Sequence, residues 1–298
     1  MTTSDRSTGL AEAARVDVSR GVPFATPGGE PLALDLYRPA TAGDVAGASA
    51  AAPTGADATA RRAAVVLVPG DRWRAPDRGS LARYGLALAE RGYVCAVPSY
   101  RGSDAATFPA PLCDLKAAVR WLRTTADRLG VDPARIGAFG HDAGAHLAVL
   151  AALTPDHEAF APRGAAVSAD VAAATDALAA VVGVGGTYVL EHQPETDALV
   201  AFLGGDRESA PEAWTRASPS THLGSGDGDR RRPPILLLHG EDDAVVPPMA
   251  SELFYDLLED RDAPGECVVA TDAGHAVHET QRGFTLNWTV AFFDRHLR

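Results

Sequence analysis

The stretch Ile136–Leu153, which reads IGAFGHDAGAHLAVLAAL, carries the strongest local structural signal in the chain. Ile136–Phe139 is a short apolar run and predicts a strand, whereas Ala145–Leu153 has the composition of a buried helix. The letters GHDAG between them predict a sharp turn. In a strand–turn–helix unit of this kind, the middle residue of the turn is pushed out above the sheet. That residue is Asp142.

Further apolar runs of strand length occur on both sides of this unit, and several are continuous, as expected for strands covered on both faces. Helical patterns separate them, and strands that alternate with helices indicate βαβ units. We therefore predict an α/β fold with a mostly parallel central sheet flanked by helices. The predicted strands are Leu32–Leu36, Ala64–Val68, Val94–Val97, Ile136–Phe139, Ala180–Val184, Ile235–Leu238 and Cys267–Ala270.

Three helical patterns are clear enough to be assigned. The first runs from Ser80 as its N-cap to Gly92 as its stop. The other two place their apolar side chains on one stripe of a helix. These stripes are Leu112, Leu115, Val119 and Leu122 in one helix, and Phe284, Trp288 and Phe292 in the other.

Length and composition limit the domain organisation. A chain of 298 residues is near the size at which one hydrophobic core stops growing. Its 46% hydrophobic and 22% charged residues argue against general disorder. Residues 41–62 are mostly small or polar and show no apolar period, so they predict a flexible surface insertion. We expect an N-terminal tail at 1–15 and a single α/β domain over 16–298.

The charge balance excludes several classes of partner. Asp and Glu outnumber Lys and Arg by 39 to 27, and no basic stripe is present. Nucleic acid and anionic membrane are therefore not expected as partners. A small-molecule substrate is expected instead, because of the catalytic residues considered below. The N-terminal residues lack the apolar core of a signal peptide, so we expect a cytoplasmic protein. The oligomeric state stays open, with a homodimer as one option.

No metal or cofactor is expected from the sequence. Cys95, Cys113 and Cys267 lie far apart and have neither the spacing of a zinc site nor that of a disulfide framework. Buried reduced thiols are the simpler interpretation.

Two further polar stretches each follow a predicted strand. One is HGEDD, which ends at Asp243, and the other is DAGH, which ends at His275. Ligands of open parallel sheets bind beyond the carboxyl ends of the strands, so both stretches belong to the same edge as Asp142. Taken alone, Asp243 could cap a helix and His275 could be a surface histidine, and Asp242 is an alternative to Asp243. Together they predict a catalytic set of Asp142, Asp243 and His275 in the order nucleophile, acid, histidine.

Motifs outside this set point to a family. They are Ser99-Tyr100-Arg101, Phe108-Pro109-Ala110, the stretches 114–123 and 132–137, Phe202-Leu203-Gly204-Gly205, Ala217-Ser218-Pro219 and the stretch 292–297. With these motifs the sequence resembles the acetyl-esterase and kynurenine-formamidase-like, carboxylesterase branch of the α/β-hydrolases, from about Val16 to Leu297. The resemblance implies an α/β-hydrolase fold without a large cap domain. It also implies hydrolysis of esters or amides by a serine nucleophile.

The sequence departs from that family at two places in the site. Asp142 stands where the family has its nucleophilic serine. The loop Pro69-Gly70-Asp71-Arg72-Trp73 replaces a His-Gly-Gly-Gly-Trp motif, whose glycines let backbone N–H groups approach a developing oxyanion. Asp71 and Arg72 would either crowd this oxyanion hole or convert it to a side-chain site. The predicted oxyanion and substrate-binding residues are Gly70, Asp71, Arg72, Trp73 and Ala143.

An aspartate at this position favours a different reaction. Attack of a carboxylate on an ester would give a mixed anhydride that is more reactive than the ester itself. Attack of Asp142 on a saturated carbon bearing an epoxide or halide instead gives an alkyl ester, which water activated by His275 can hydrolyse while Asp243 orients the imidazole. The letters Gly-His-Asp-x-Gly also resemble the elbow of epoxide hydrolases and fluoroacetate dehalogenases.

Two other interpretations stay open. Asp142 could act as a general base or acid in a hydrolytic step, or in a non-hydrolytic one such as a cyclisation or elimination. Alternatively, the chain could be a degenerate esterase that only binds a ligand, with Asp142 paired to Arg72 or His275. The presence of both Asp243 and His275 favours catalysis, because a pure binder would not require them.

Several aromatic residues could border the site. Trp73 could form a pocket wall or support the loop from below. Tyr100 and Tyr188 could line the entrance or belong to the sheet. His141 is expected to pack or form a hydrogen bond rather than to catalyse.

Overall fold

The computed structural model describes residues 15–40, 61–74, 76–162, 166–224 and 232–298. The predicted tail at 1–15 and the insertion at 41–62 fall almost wholly outside the described residues. No helix in these ranges is long and apolar enough to cross a bilayer.

The described strands form one eight-stranded sheet in the order β1-β2-β4-β3-β5-β6-β7-β8. β1 pairs antiparallel with β2, and β2 with β4, whereas every other pair is parallel. The predicted mostly parallel sheet is therefore confirmed. The strands are β1 (Val16–Ala25), β2 (Leu32–Pro39), β3 (Arg62–Val68), β4 (Val94–Pro98), β5 (Val131–His141), β6 (Val181–Val184), β7 (Ile235–Gly240) and β8 (Gly265–Ala270).

The α-helices connect these strands and cover both faces of the sheet with two apolar clusters. No large cap is present in the described residues, since the connection from β6 to β7 contains two α-helices of seven residues each. The helices are α1 (Ala82–Ala89), α2 (Ala110–Thr124), α3 (Ala126–Leu129), α4 (Ala143–Leu153), α5 (Ala169–Ala173), α6 (Asp197–Leu203), α7 (Pro211–Ala217), α8 (Met249–Glu259), α9 (Val277–Thr280) and α10 (Arg282–Leu297).

β1, one of the two edge strands, was not predicted from the sequence. Its apolar residues alternate instead of forming a continuous run, and a register shift between Ser19 and Val22 interrupts the alternation. β1 is antiparallel to its neighbour and has mostly half-buried or exposed residues, so its letters contain no continuous apolar run that would indicate a strand covered on both faces.

The predicted start of the first helix was wrong. Ser80 is not an N-cap, because a 3₁₀ turn at Arg78–Leu81 precedes α1, and the Asp77 carboxylate accepts the Gly79 N–H at 2.8 Å. The stop is confirmed, since Gly92 follows the helix with a φ of +96°.

The two predicted stripes had different outcomes. Leu112, Leu115, Val119 and Leu122 are all fully buried on α2, as expected. On α10, Phe292 is buried, whereas Phe284 and Trp288 are only half-buried. The inner face of α10 also carries Thr285, Thr289, Phe293 and Leu297.

A buried ion cluster ties α2 to the segment that precedes β6. Lys116, the only lysine of the chain, is fully buried with its Nζ 2.7 Å from Oδ1 of Asp176. Arg120 binds the other oxygen of the same carboxylate at 2.6 Å. Burial lowers the pKa of Lys116, and the charge of Asp176 opposes this. The carboxylate of Asp176 therefore keeps two buried cations paired.

Replacing this carboxylate is expected to be costly. Asp176→Ala should lower the free energy of unfolding by about 3–5 kcal/mol, because it leaves the buried side chains of Lys116 and Arg120 without their shared carboxylate. The measurement is urea unfolding followed by tryptophan fluorescence. The matched control is Asp127→Ala. The Asp127 side chain is 83% exposed, so its ion pair with Arg61 should contribute little to the free energy of unfolding. Equal losses in the two variants would contradict this assignment.

Candidate active site

Asp142 lies at the turn between β5 and α4 with φ 54° and ψ −123°, which is a strained conformation for a non-glycine residue. Close packing on both sides enforces this turn. A Cβ added to Gly140 would lie 2.2 Å from the Gly144 carbonyl oxygen, and one added to Gly144 would lie 2.0 Å from the Val68 carbonyl oxygen. Only glycine fits at these two positions, so the strand and helix hold Asp142 above the sheet as the sequence predicts.

The two carboxylate oxygens of Asp142 have different surroundings. Oδ2 accepts a hydrogen bond from the Arg72 backbone N–H at 2.7 Å. Oδ1 lies 3.7 Å from Nε2 of His275. The Asp142 side chain is 8% exposed and that of His275 is 20% exposed, so solvent reaches both. One oxygen is therefore held by the backbone, and the other faces the imidazole.

Asp243 orients His275 from the opposite side of the ring. Nδ1 of His275 donates to Oδ2 of Asp243 at 2.8 Å. Oδ1 of Asp243 accepts the backbone N–H groups of Val245 and Val246 at 2.8 and 2.9 Å. Asp242, the alternative acid, is exposed on the same loop. The structure thus brings Asp142, Asp243 and His275 together in one chain of contacts, and their catalytic role stays a prediction.

A second histidine supports the acid. His239 at the end of β7 is fully buried, and its Nε2–H donates to Oδ2 of Asp243 at 3.1 Å and to the Val246 carbonyl at 2.8 Å. Its Nδ1 lies 2.7 Å from the hydroxyl oxygen of Ser251. The sequence analysis gave His239 no role, although its position at the carboxyl end of a strand marked it as a neighbour of the site.

These contacts shift two pKa values in the direction that favours an ion pair. Burial alone would raise the pKa of Asp243, but hydrogen bonds from His239, His275 and the backbone outweigh it and hold that pKa well below its usual range. Burial alone would lower the pKa of His275, but the hydrogen bond to Asp243 and the charges of Asp243 and Asp142 outweigh it and raise the pKa. The Arg72 charge opposes that rise.

The loop after β3 adopts an unusual backbone. Asp71, Arg72 and Trp73 have φ values of 72°, 51° and 60°, so three consecutive non-glycine residues are left-handed. A Cβ on Gly70 would lie 2.7 Å from the His141 carbonyl oxygen and 2.9 Å from Cβ of Asp142. Gly70 therefore permits the loop to approach the elbow. The Asp71 and Arg72 side chains are exposed.

The Arg72 N–H has a partner that the sequence analysis did not foresee. The expectation was that Asp71 and Arg72 would crowd the oxyanion hole or replace it by side chains. In the structure this N–H binds Asp142 itself. The Ala143 N–H, the first of α4, has no acceptor among the described residues.

Trp73 lies beneath the loop. Its side chain is 5% exposed, stacks on Phe202 with ring centroids 5.0 Å apart and donates its indole N–H to Nδ1 of His146 at 3.2 Å. Nε2–H of His146 donates in turn to the Ala217 carbonyl at 2.8 Å. Burial lowers the pKa of His146 to about 4, which keeps this imidazole neutral. These contacts fit the interpretation that Trp73 supports the loop from below rather than the interpretation that it forms a pocket wall.

The expectation that Tyr100 and Tyr188 could line the entrance was wrong, because both are buried. Tyr100 donates its hydroxyl to the Pro69 carbonyl at 2.8 Å and so fixes the start of the loop. Tyr188 is fully buried and packs on Phe254.

His141 acts as a hydrogen-bonding residue, as expected. Its Nε2–H donates to the His275 carbonyl at 3.0 Å, and its ring stacks on His278 with centroids 3.6 Å apart. Burial, followed by the charge of His278, lowers the pKa of His141 to about 3. His141 therefore holds the backbone of His275 as a neutral imidazole. The sequence analysis did not connect His278 with this cluster.

Among the described residues, no group of three or more His, Cys, Asp or Glu side chains has an arrangement that could hold a metal ion.

An eight-stranded sheet with a strained elbow, a glycine-dependent loop beside it and an aspartate–histidine pair on the last two strand ends defines an α/β-hydrolase fold. The comparisons agree with this class. The BD-FAE family model matches residues 53–258, and the chain belongs to this family.

The relatives are esterases by name. Esterase LipC of Mycobacterium tuberculosis is 34% identical in sequence. The matched region covers 65% of this chain and 47% of the length of LipC. Esterase LipQ of the same organism is 35% identical, and the matched region covers 69% of this chain and 48% of the length of LipQ. The chain thus spans about half the length of the curated relatives that it matches. Thermogutta terrifontis esterase 2 has the same fold, with 24% identity, a TM-score of 0.71, and 95% of this chain and 94% of that chain covered.

The geometry predicts how His275 titrates. In the native protein its pKa should lie above the usual 6.5. Asp243→Asn should lower it, because the variant removes the hydrogen-bonded negative charge. A raised folded-state pKa contributes stability that is fully present below the unfolded pKa of about 6.5 and is lost as the pH rises through the folded value. Histidine NMR titration measures the shift directly.

His157, whose ring stacks on Phe160 and whose pKa is not affected by Asp243, serves as the internal control and should titrate alike in both proteins. An unchanged His275 midpoint in Asp243→Asn would contradict the assignment of Asp243.

Proposed function

We propose that the protein is a hydrolase that acts on a small organic substrate through a covalent ester of Asp142, at a saturated carbon that bears a leaving group. The hydrogen bond from the Arg72 N–H to Oδ2 of Asp142 carries the proposal. Family membership supports hydrolysis, and the aspartate decides which bond is attacked.

The same hydrogen bond argues against direct acyl transfer. Hydrolysis of an external ester needs backbone N–H groups directed at the oxygen of the substrate carbonyl. Here the Arg72 N–H is bound to the protein's own carboxylate at 2.7 Å. An incoming ester would have to displace a charged acceptor from it, and the product would still be a mixed anhydride.

In the first step, Oδ1 of Asp142 attacks the carbon. A bond forms between Oδ1 and carbon, the bond from carbon to the leaving group breaks, and that group departs with the electron pair. Oδ1 suits this role because the backbone holds only Oδ2, while Oδ1 faces the imidazole at 3.7 Å without a direct hydrogen bond.

In the second step, water attacks Cγ of the Asp142 ester. Nε2 of His275 accepts the proton of the water, and Asp243 stabilises the resulting imidazolium through Nδ1. The negative charge that develops on Oδ2 lies at the Arg72 N–H, and the Ala143 N–H follows Asp142 directly in the chain at the start of α4. Collapse releases the alcohol and restores the carboxylate, so the net reaction is R–X + H₂O → R–OH + HX.

A halide suits the described site better than an epoxide. A halide departs without a proton, whereas an epoxide oxygen needs an acid as the ring opens. The two tyrosines considered for the entrance, Tyr100 and Tyr188, are buried, and Tyr100 donates its proton to the loop backbone. Neither is placed to protonate an opening ring.

The covalent route makes a specific isotope prediction. A panel of haloalkanoates, epoxides, esters and formamides first identifies a turned-over substrate. One turnover in H₂¹⁸O should then place ¹⁸O in the Asp142 carboxylate and leave the released alcohol unlabelled, because its oxygen comes from Oδ1. Mass spectrometry of the elbow peptide and of the product measures both.

His275→Gln serves as the trapping variant. It should slow the second step by about 10²-fold or more and accumulate an alkyl adduct on the elbow peptide. Asp142→Asn is the matched control and should form no adduct. Label that appears only in the product would instead identify Asp142 as a general base, and activity that survives Asp142→Asn would exclude both roles.

The esterase relatives lead to a second prediction. Asp142→Ser frees the Arg72 N–H and supplies a hydroxyl beside His275, so it should create hydrolysis of p-nitrophenyl acetate. Asp142→Ala frees the same N–H without a nucleophile and is the control. A folded but inert serine variant would show that the loop at Asp71 and Arg72 no longer accepts a substrate carbonyl.

A further inference from the structure

Arg72 has two functional groups at the site, and only one has a described partner. Its backbone N–H binds Asp142 at 2.7 Å. Its side chain is exposed and contacts no acceptor among the described residues. Other arginines of the fold, such as Arg101 and Arg120, are paired with buried carboxylates. The Arg72 guanidinium is thus available to a ligand.

The backbone at Arg72 makes this side chain costly to retain. A left-handed conformation is unfavourable for a non-glycine residue, and glycine would avoid that cost. The hydrogen bond to Asp142 uses only the backbone, so glycine could supply it equally well. The backbone geometry and its hydrogen bond therefore do not themselves require an arginine at this position.

The charges of the site indicate what the Arg72 side chain could do. The carboxylates of Asp142 and Asp243 are both buried. They would repel an anionic substrate from the attacking oxygen unless a cation stood nearby. The Arg72 charge lies close enough to His275 to lower the pKa of that imidazole, so it acts within the site. A guanidinium also binds a carboxylate through two parallel hydrogen bonds.

We propose that Arg72 is the specificity-determining residue for an anionic substrate, and that the substrate is a small organic acid whose carboxylate binds the Arg72 guanidinium while its neighbouring carbon meets Oδ1 of Asp142. This inference rests on the proposed function for the reacting carbon. The anion site itself depends only on Arg72.

A matched substrate pair tests the proposal. 2-Bromopropanoate and 2-bromopropanamide have nearly the same shape and differ in charge. The measured quantity is the ratio of their kcat/KM values. Arg72→Gln should lower this ratio by about tenfold or more, the lower limit for a lost charged hydrogen bond. Arg72→Lys keeps the charge and should restore part of it.

Arg74→Gln is the matched control. It removes the same charge from an exposed residue of the same loop, and its side chain makes no hydrogen bond or ion pair among the described residues. The ratio should stay at the native value. The proposal would be overturned if the native enzyme did not prefer 2-bromopropanoate over 2-bromopropanamide. It would also be overturned if the ratio of the two kcat/KM values were equal in the native protein and in Arg72→Gln.

Binding separates this inference from the covalent mechanism. In the Asp142→Asn background, calorimetry with lactate and lactamide measures recognition without turnover. Lactate should bind about tenfold tighter or more, and Arg72→Gln should remove the difference. If neither bromo compound is turned over but the lactate preference depends on Arg72, the covalent step fails and the anion site stands. No lactate preference would overturn the anion site whatever the turnover results.

Discussion

The hydrogen bond between the Arg72 N–H and Oδ2 of Asp142 is the contact on which the organisation of the site depends. It can form only because the elbow forces Asp142 to a φ of 54° and because Gly70 has no Cβ to separate the loop from the elbow. Each of these conformations is unfavourable in isolation, and the packing of β3, β5 and α4 enforces them together. The site residues lie near the ends of three separate strands, and only the tertiary structure brings them together in these conformations.

Most of the fold could be predicted from the sequence because burial on both faces leaves a direct mark on composition. Every predicted run overlaps a strand of the parallel part of the sheet or its neighbour β2. The one strand missed, β1, lies at an edge of the sheet and contains a register shift. Its apolar residues therefore form neither a continuous run nor a strict alternation with polar residues. Ser80 was taken for an N-cap because residue type alone does not distinguish a cap from the interior of a 3₁₀ turn that Asp77 begins.

The site was predictable where chain order decided it. Asp142, Asp243 and His275 each follow a strand of one parallel sheet, so they share an edge whatever the details of their loops. The left-handed loop and the packing of His141 on His278 were not predictable, because each depends on a partner far away in the chain. The buried Tyr100 and Tyr188 illustrate the same limit, since aromatic letters do not show which way a ring faces.

In the proposed mechanism, an aspartate at the elbow changes the bond that this hydrolase scaffold attacks. In acyl transfer the charge that needs an N–H donor develops on the substrate, so the donor must be free before substrate binds. In hydrolysis of an alkyl ester of Asp142 that charge develops on the protein's own Oδ2, so a donor already bound to Oδ2 is preorganised for it. A longer, charged side chain at the elbow thus fills the hole and moves the electrophile one bond outward, towards the exposed Arg72. In the proposed mechanism, the displacement that disfavours esters thus brings the reacting carbon towards the Arg72 guanidinium.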